Sequence, residues 1–388
     1  MLFALLGASE STLLPFFAIY LLDRGFSTTE IGIVLGILGL AGFLTSPLWG
    51  YAADRRLGST RTLAAAAGAA AALALLFFLP VEGRVGLTVV ALVLWVARSP
   101  LVSLVDAIAL EWLGTSRRGS YAGIRLWQSA GWALAVLLWG ALLELSRLDL
   151  VPALYAVTIG GLALYALLGV DTGRRVAAVA HEVPPAWARR RLGLPPALIG
   201  FLISMFLLSA AFAATWNFLA VRIVDLGGGA FLVGVAASVQ AIAEIPTMAY
   251  IGRLSRLLSH RAIYVAGCGI YIVVFAAWAT LTDPVTIALL KLVLGVGFAL
   301  TYVGAVVIVD DLVPTRLRAT GQSFSKAVGF GLAPVLGTVA GGPLYGHLGA
   351  RPMFLASAGA AAVAAALAWI SISQPQTRLV DVEVEAEV

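Results

Sequence analysis

Seven ionisable side chains fall inside stretches that are otherwise apolar: Glu10, Arg98, Asp106, Arg125, Glu244, Lys291 and Lys326. An ionisable group carried on a membrane helix costs on the order of 2.5 kcal/mol or more, so each is a functional candidate unless a structural partner explains it. Arg125, Ser129 and Trp132 are spaced i, i+4 and i+7, which puts a fork of donors, a hydroxyl and an aromatic ring on one helical face. That surface suits a sugar, a nucleoside or a carboxylate, although an arginine one turn inside a span end can also snorkel to lipid heads. Asp106 sits at a similar depth on the preceding apolar run and can pair with Arg125, either to bind solute or only to pin two helices. Arg98, eight residues before Asp106, faces roughly the same side.

Glu10 and Glu244 fall near the middle of their runs, where a carboxyl group can accept and release a proton during a cycle, although Glu10 can equally serve a local structural hydrogen bond. Glu244 has Gln240 one turn before it and Pro246 just after, a polar stretch beside a kink. The two lysines are unusual because arginine supplies every other basic position. Arginine cannot give up its proton, whereas a buried lysine can. Lys291 shares a face with Gly295, Phe298 and Tyr302 and either pairs with Glu244 or another mid-membrane acid or only reaches the outer interface; Lys326 is read as structural.

These residues must be positioned by helices. The 388 residues are 61% hydrophobic and 12% charged, against about half apolar and about a quarter charged in a soluble domain. Runs of about 20 apolar residues, the length that crosses a hydrocarbon core, lie near 2–22, 30–50, 62–80, 86–110, 121–144 and 150–170, then 196–221, 230–251, 262–281, 284–309, 320–345 and 351–372. Lipid satisfies no backbone donors or acceptors, so each run is expected to be a helix: an all-α membrane protein of twelve spans. The first run has no basic flank and no small-residue cleavage site, so it is expected to remain as the first helix.

The basic residues are unevenly distributed. Connections after even-numbered spans hold sixteen of the 25, among them Arg55, Arg56, Arg117, Arg118, Arg189, Arg190, Arg191, Arg253 and Arg316, while the odd ones hold Arg24, Arg84, Arg147, Arg222 and Arg351. By the positive-inside rule both termini are cytoplasmic. The +5 net charge is then a matter of orientation and of attraction to lipid heads, with no nucleic-acid partner implied. A polar stretch at 171–195 reads as a cytoplasmic linker between an amino-terminal bundle at 1–170 and a carboxy-terminal bundle at 196–374, and the acidic 375–388 reads as a cytoplasmic tail. The halves repeat: Asp23, Gly25, Gly32 and Gly50 recur as Asp225, Gly227, Gly234 and Gly252, and Arg118, Gly123 and Gly131 as Arg316, Gly321 and Gly329. Parallel six-helix repeats build one large class of transporters with a solute site near midplane.

The connection Gly50-Tyr51-Ala52-Ala53-Asp54-Arg55-Arg56-Leu57-Gly58 resembles the Gly-x-x-x-Asp-Arg loop signature of the major facilitator superfamily, with one residue inserted before Gly58 and Ser59-Thr60 in place of basic residues. The fifth span, Gly123 to Leu134, is similar to that of the lactose permease, phenylpropionate permease and nucleoside:proton symporter branch. So are Leu104-Val105-Asp106-Ala107, Ala243-Glu244-Ile245-Pro246 and Leu312-Val313-Pro314 with Arg318-Ala319-Thr320. The resemblance implies the two-bundle facilitator fold, solute contact by Arg125 and Trp132, binding or proton coupling at Glu244, and a conformational latch at Asp54 with Arg55. It also limits the analogy. Lys291 matches a lysine of the lactose permease, but that protein's neighbouring His and Glu correspond to Leu294 and Gly297, so its coupling residues are not reproduced.

The expected function is secondary transport in the cell (inner) membrane by a monomer: proton-coupled symport of a small polar or anionic solute such as a sugar, nucleoside or aromatic acid. Arg125, Ser129, Trp132, Asp106 and Glu244 would hold the solute, and Glu244, Lys291 and Glu10 would carry the proton. The alternative is a proton-driven exporter of amphipathic compounds, against which stands the lack of proline between Tyr121 and Glu144. An embedded enzyme or receptor is disfavoured by short loops with no clustered nucleophile or metal site. No cofactor is called for: neither lysine follows the glycine of a phosphate-binding loop, and Cys268, His181, His260 and His347 form no metal motif.

Overall fold

Inside hydrocarbon a chain must close its own backbone hydrogen bonds, and the apolar runs do so as twelve helices. The computed structural model describes residues 1–79, 83–116, 121–169, 195–313 and 318–372, apart from the side chains at 56, 114–116, 121, 122, 318–320 and 323. The spans are α1 Leu2–Asp23, α2 Thr28–Arg55, α3 Ser59–Phe78, α4 Gly83–Leu113, α5 Gly123–Leu145, α6 Leu148–Leu168, α7 Pro196–Asp225, α8 Ala230–Leu254, α9 His260–Thr280, α10 Pro284–Leu312, α11 Phe324–Leu348 and α12 Ala350–Ser371. Most of the expected linker at 171–195, the tail at 375–388, and Arg117 and Arg118 lie outside the described residues.

Helices α1–α6 and α7–α12 form two bundles with the same internal pairing: α1 packs on α5 as α7 packs on α11, α3 on α6 as α9 on α12, and α2 on α4 as α8 on α10. The repeated glycines thus mark a repeated architecture. Three of the helices are interrupted. Pro15 removes a donor and crowds the preceding turn, so α1 breaks over Leu14–Phe16; Pro100 does the same to α4, and α10 breaks at Leu290, just before Lys291. In α11 the backbone widens over Ala327–Leu332 and again over Leu344–Leu348, an irregularity that recurs at functional sites.

The bundles meet where glycines allow backbones to approach. At Gly32 of α2 an added Cβ would lie 2.8 Å from the Gly342 Cα and 2.8 Å from the Thr338 carbonyl oxygen of α11; at Gly234 of α8 it would lie 2.6 Å from the Val136 carbonyl oxygen of α5. The Ser238 hydroxyl donates to the Ala133 carbonyl at 3.0 Å, and the Glu144 carboxylate accepts from the Phe231 N–H at 3.0 Å, capping α8 from the other bundle. All these contacts lie toward the end opposite the one where α1 begins and α12 ends, here called the distal end. At the terminal end of the same helices, Gly50 and Gly252 have open space around their Cα atoms. The tightest backbone approaches between the bundles are thus distal, and Gly50 and Gly252 make none at the terminal end.

Gly32→Val tests whether these approaches seal the distal end. Its side chain has only backbone to displace, so the distal ends should be held apart, and a maleimide that cannot cross membranes should label Ser238→Cys several-fold faster than in the parent with the same cysteine. Unchanged labelling would show that α2 and α11 do not form the seal.

Candidate functional site

Between the bundles lies a cavity of about 700 Å³, lined from α1, α2, α4 and α5 on one side and α7, α8, α9, α10 and α11 on the other. Its volume suits one drug-sized or smaller solute. Arg125, Ser129 and Trp132 all face it, as their common helical face requires, and Gln128 of α5 joins them. The Arg125 Nη1 donates to the Asp106 Oδ1 at 3.0 Å, with side chains 40% and 29% exposed. The expected pair between α4 and α5 is formed and is only partly buried. Asp106 itself does not line the cavity; it orients the guanidinium that does.

Across from Arg125, Glu244 lines the wall of α8 and accepts a hydrogen bond from the Gln240 Nε2 at 2.8 Å. The side-chain oxygens of Gln240 and Gln128 are buried without a protein hydrogen-bond partner among the described residues. A buried polar group without a partner costs about 1–3 kcal/mol, so both acceptors are held at an energetic cost in this state. Asn217 of α7 is held by its own helix, donating to the Ala213 carbonyl, and by α11, donating to the Thr338 hydroxyl at 3.1 Å.

The remaining wall is aromatic. Ring centroids run from Trp132 to Trp216 at 6.5 Å, Trp216 to Phe212 at 5.7 Å, Phe212 to Phe298 at 5.5 Å, Phe298 to Tyr302 at 5.7 Å and Tyr302 to Phe330 at 5.7 Å. A ring-bearing solute can stack along this strip while its polar edge meets Arg125, Gln128, Gln240 and Glu244.

Two expected proton carriers lie elsewhere. Glu10 is paired with Arg98 inside the amino-terminal bundle, away from the cavity, and Arg98 also stacks 5.0 Å from the Trp95 ring. Glu10→Gln should leave the guanidinium buried and poorly compensated, lowering stability by about 3 kcal/mol or more. Thermal denaturation of the purified protein in detergent measures this, and the double change with Arg98→Met should recover part of the loss. Equal stability of the single variant and the parent would make the pair energetically idle. Lys291 is also buried, with its Nζ 3.6 Å from the Trp216 ring centroid, a cation–π contact just behind the cavity floor. No ion pair joins it to Glu244, which lies across the close approach of α8 and α10 where Gly295 meets the Gln240 carbonyl.

Asp54 and Arg55 occupy the widened turn at Ala53–Leu57 that ends α2, outside the cavity, where Arg55 stacks over the Tyr51 ring at 5.4 Å. Lys326, read from sequence as structural, instead lines the cavity with Ser325 of α11 and with Gln322 in the helical turns, from Arg318, that lead into α11 and extend it. Its i, i+4 relation to Gln322 and Phe330 was the only sequence signal that could have shown this.

Comparison with known proteins agrees with the geometry. A family model described as "MFS_1 like family" matches residues 1–356. The chain is similar to a maltose permease of Geobacillus stearothermophilus, 28% identical over 342 residues covering 86% of this chain and 83% of that protein. It also resembles a multidrug resistance protein MdtG of Klebsiella pneumoniae, at 24% over 96% of this chain and 92% of that one. A probable 3-phenylpropionic acid transporter of Escherichia coli is 28% identical over 68% of this chain and 69% of that protein. Among solved structures, a mutant of the nucleoside transporter NupG superposes with a TM-score of 0.84 at 19% identity, covering 96% of this chain and 98% of that one.

Proposed function

The chain belongs to the MFS_1 like family, and from that premise we propose that it takes up a small polar or anionic organic solute by proton-coupled symport. It is a multi-pass membrane transporter of the major facilitator superfamily rather than an enzyme. The observation that carries the finer reading is the cavity itself: a fork of donors at Arg125, held by Asp106, lines it from one bundle and a carboxyl group at Glu244 from the other, beside a ring-stacking wall. Solute binding falls to Arg125, Gln128, Ser129, Trp132 and Glu244, and exchange of the coupled proton to Glu244, with the Lys291 charge behind Trp216 biasing it across a low-dielectric gap. Glu10, locked to Arg98, is better suited to holding the amino-terminal bundle together.

The distribution of arginines supports a cytoplasmic terminal end in the cell membrane. The close distal approaches at Gly32 and Gly234 favour an inward-facing state, and the transport cycle is the rocking of the two bundles about the central cavity. The loop carrying Asp54 and Arg55 lies at the cytoplasmic mouth, where a latch would act.

Export of amphipathic compounds is the second reading, favoured by the long aromatic wall and the similarity to MdtG. Reconstituted vesicles separate the two. With the outside acidic, uptake of a sugar, nucleoside or aromatic acid that accelerates over the no-gradient control supports symport; expulsion of solute under the same gradient overturns it in favour of antiport.

A further inference from the structure

The charges of the cavity are unequally matched. Arg125 is engaged by Asp106, and Glu244 by Gln240. Lys291 is screened from the main cavity by the Trp216 ring. Lys326 lines the cavity from α11 and forms no ion pair with any described residue. It is not a lipid-facing charge, because its helical neighbours at one-turn spacing, Gln322, Gly329 and Phe330, line the same cavity. The Gln322 amide is itself committed to the Val306 carbonyl at 2.7 Å, so it bridges α11 to α10 and leaves the ammonium as the mobile donor of that wall.

Position adds a second constraint. Phe330 follows Lys326 by about one turn on the same cavity wall, and a ring strip runs from Phe330 through Tyr302, Phe298 and Phe212 to Trp216. A flat apolar ring lying on this strip would place a substituent at its terminal-side end within reach of Lys326. An ammonium on a flexible stem is a strongly hydrated point charge that suits an anion arriving from water.

We infer that Lys326 recognises a carboxylate on the transported solute, and that the preferred solute class is therefore a small acid carrying a flat ring. This rests on the cavity of the symport reading and narrows its substrate. It assigns the ring to the strip, the carboxylate to Lys326, and the remaining polar edge to Gln128, Gln240 and Arg125. A carrier that binds such an anion together with one proton moves no net charge.

The test uses the purified full-length protein and matched pairs that differ only at the acid: 3-phenylpropionate against 3-phenylpropan-1-ol, and 4-hydroxybenzoate against 4-hydroxybenzyl alcohol. Thermal stabilisation is measured across a concentration series for the parent, Lys326→Gln and Lys326→Arg. The acid of at least one pair should stabilise the parent at concentrations at least tenfold below its alcohol; Lys326→Gln should erase that preference and Lys326→Arg should keep it. Equal response to acid and alcohol, a response to the alcohol alone, no response to either, or a preference undiminished in Lys326→Gln overturns the assignment. Proton-driven uptake of a sugar or nucleoside by the same preparation would leave the symport reading standing while the acid specificity fell.

Discussion

Replacing Arg125 with Ala is expected to reduce saturable solute uptake about 100-fold in reconstituted vesicles while leaving the protein folded. The guanidinium lines the cavity and is held in place by a 3.0 Å bond to Asp106. Hydrogen bonds to a charged group contribute about 1.5–3 kcal/mol, and each 1.4 kcal/mol is about tenfold in affinity, so loss of a fork contacting solute spans roughly one to two orders of magnitude. The exposed position of the pair limits the stability cost, since solvent screens the Asp106 carboxylate left behind. Arg125→Lys keeps the charge but not the planar fork and should recover little. Uptake within threefold of the parent in Arg125→Ala would remove this residue from the site and shift the donor role to Gln128 and Lys326.

The second large effect is expected at Glu244. Glu244→Gln preserves size and an acceptor for the Gln240 amide at 2.8 Å but cannot bind and release a proton. Solute accumulation against its gradient should therefore vanish, while exchange of internal for external solute at equal pH should persist. For a one-proton, electroneutral cycle, one pH unit supplies about 1.4 kcal/mol, equivalent to about tenfold accumulation, and the variant should fall to a ratio of about one. If exchange were lost too, Glu244 would be a solute ligand with no separable coupling role; if accumulation survived, the proton would travel elsewhere. Lys291, behind the Trp216 ring, is the next group to test.

The two variants probe different links. In the proposed cycle Arg125 acts through a contact that solute makes directly, whereas Glu244 acts through the protonation state that permits the bundles to rock. A seal built on backbone-to-backbone approaches at Gly32, Gly234 and Gly342 is bistable for the same reason that it is tight: the surfaces either interlock or separate. Solute and proton then need only shift the balance between two packed states.

Much of this architecture is legible in the residues alone. Spans are a local property, because hydropathy summed over about 20 residues decides whether a segment enters lipid, and all twelve expected spans are found with ends displaced by a few residues. The shared face of Arg125, Ser129 and Trp132 follows from helical geometry within one element, and it survives assembly into the cavity wall. The repeated glycines likewise predicted two equivalent bundles. What the residues could not supply is rotation and partnership. Glu10 reads in sequence as a mid-membrane acid available for protons; only the packing of α1 against α4 brings it to Arg98. Lys291 and Glu244 lie at suitable depths for a pair, yet the Trp216 ring from α7 takes the ammonium. Lys326 is an ordinary basic residue near a span end until α11 is turned so that its Gln322–Phe330 face lines the cavity. Depth in the membrane is written along the chain, residue by residue, whereas the azimuth of each helix is set by which small residues let which backbones approach, and that is decided only when the twelve helices pack.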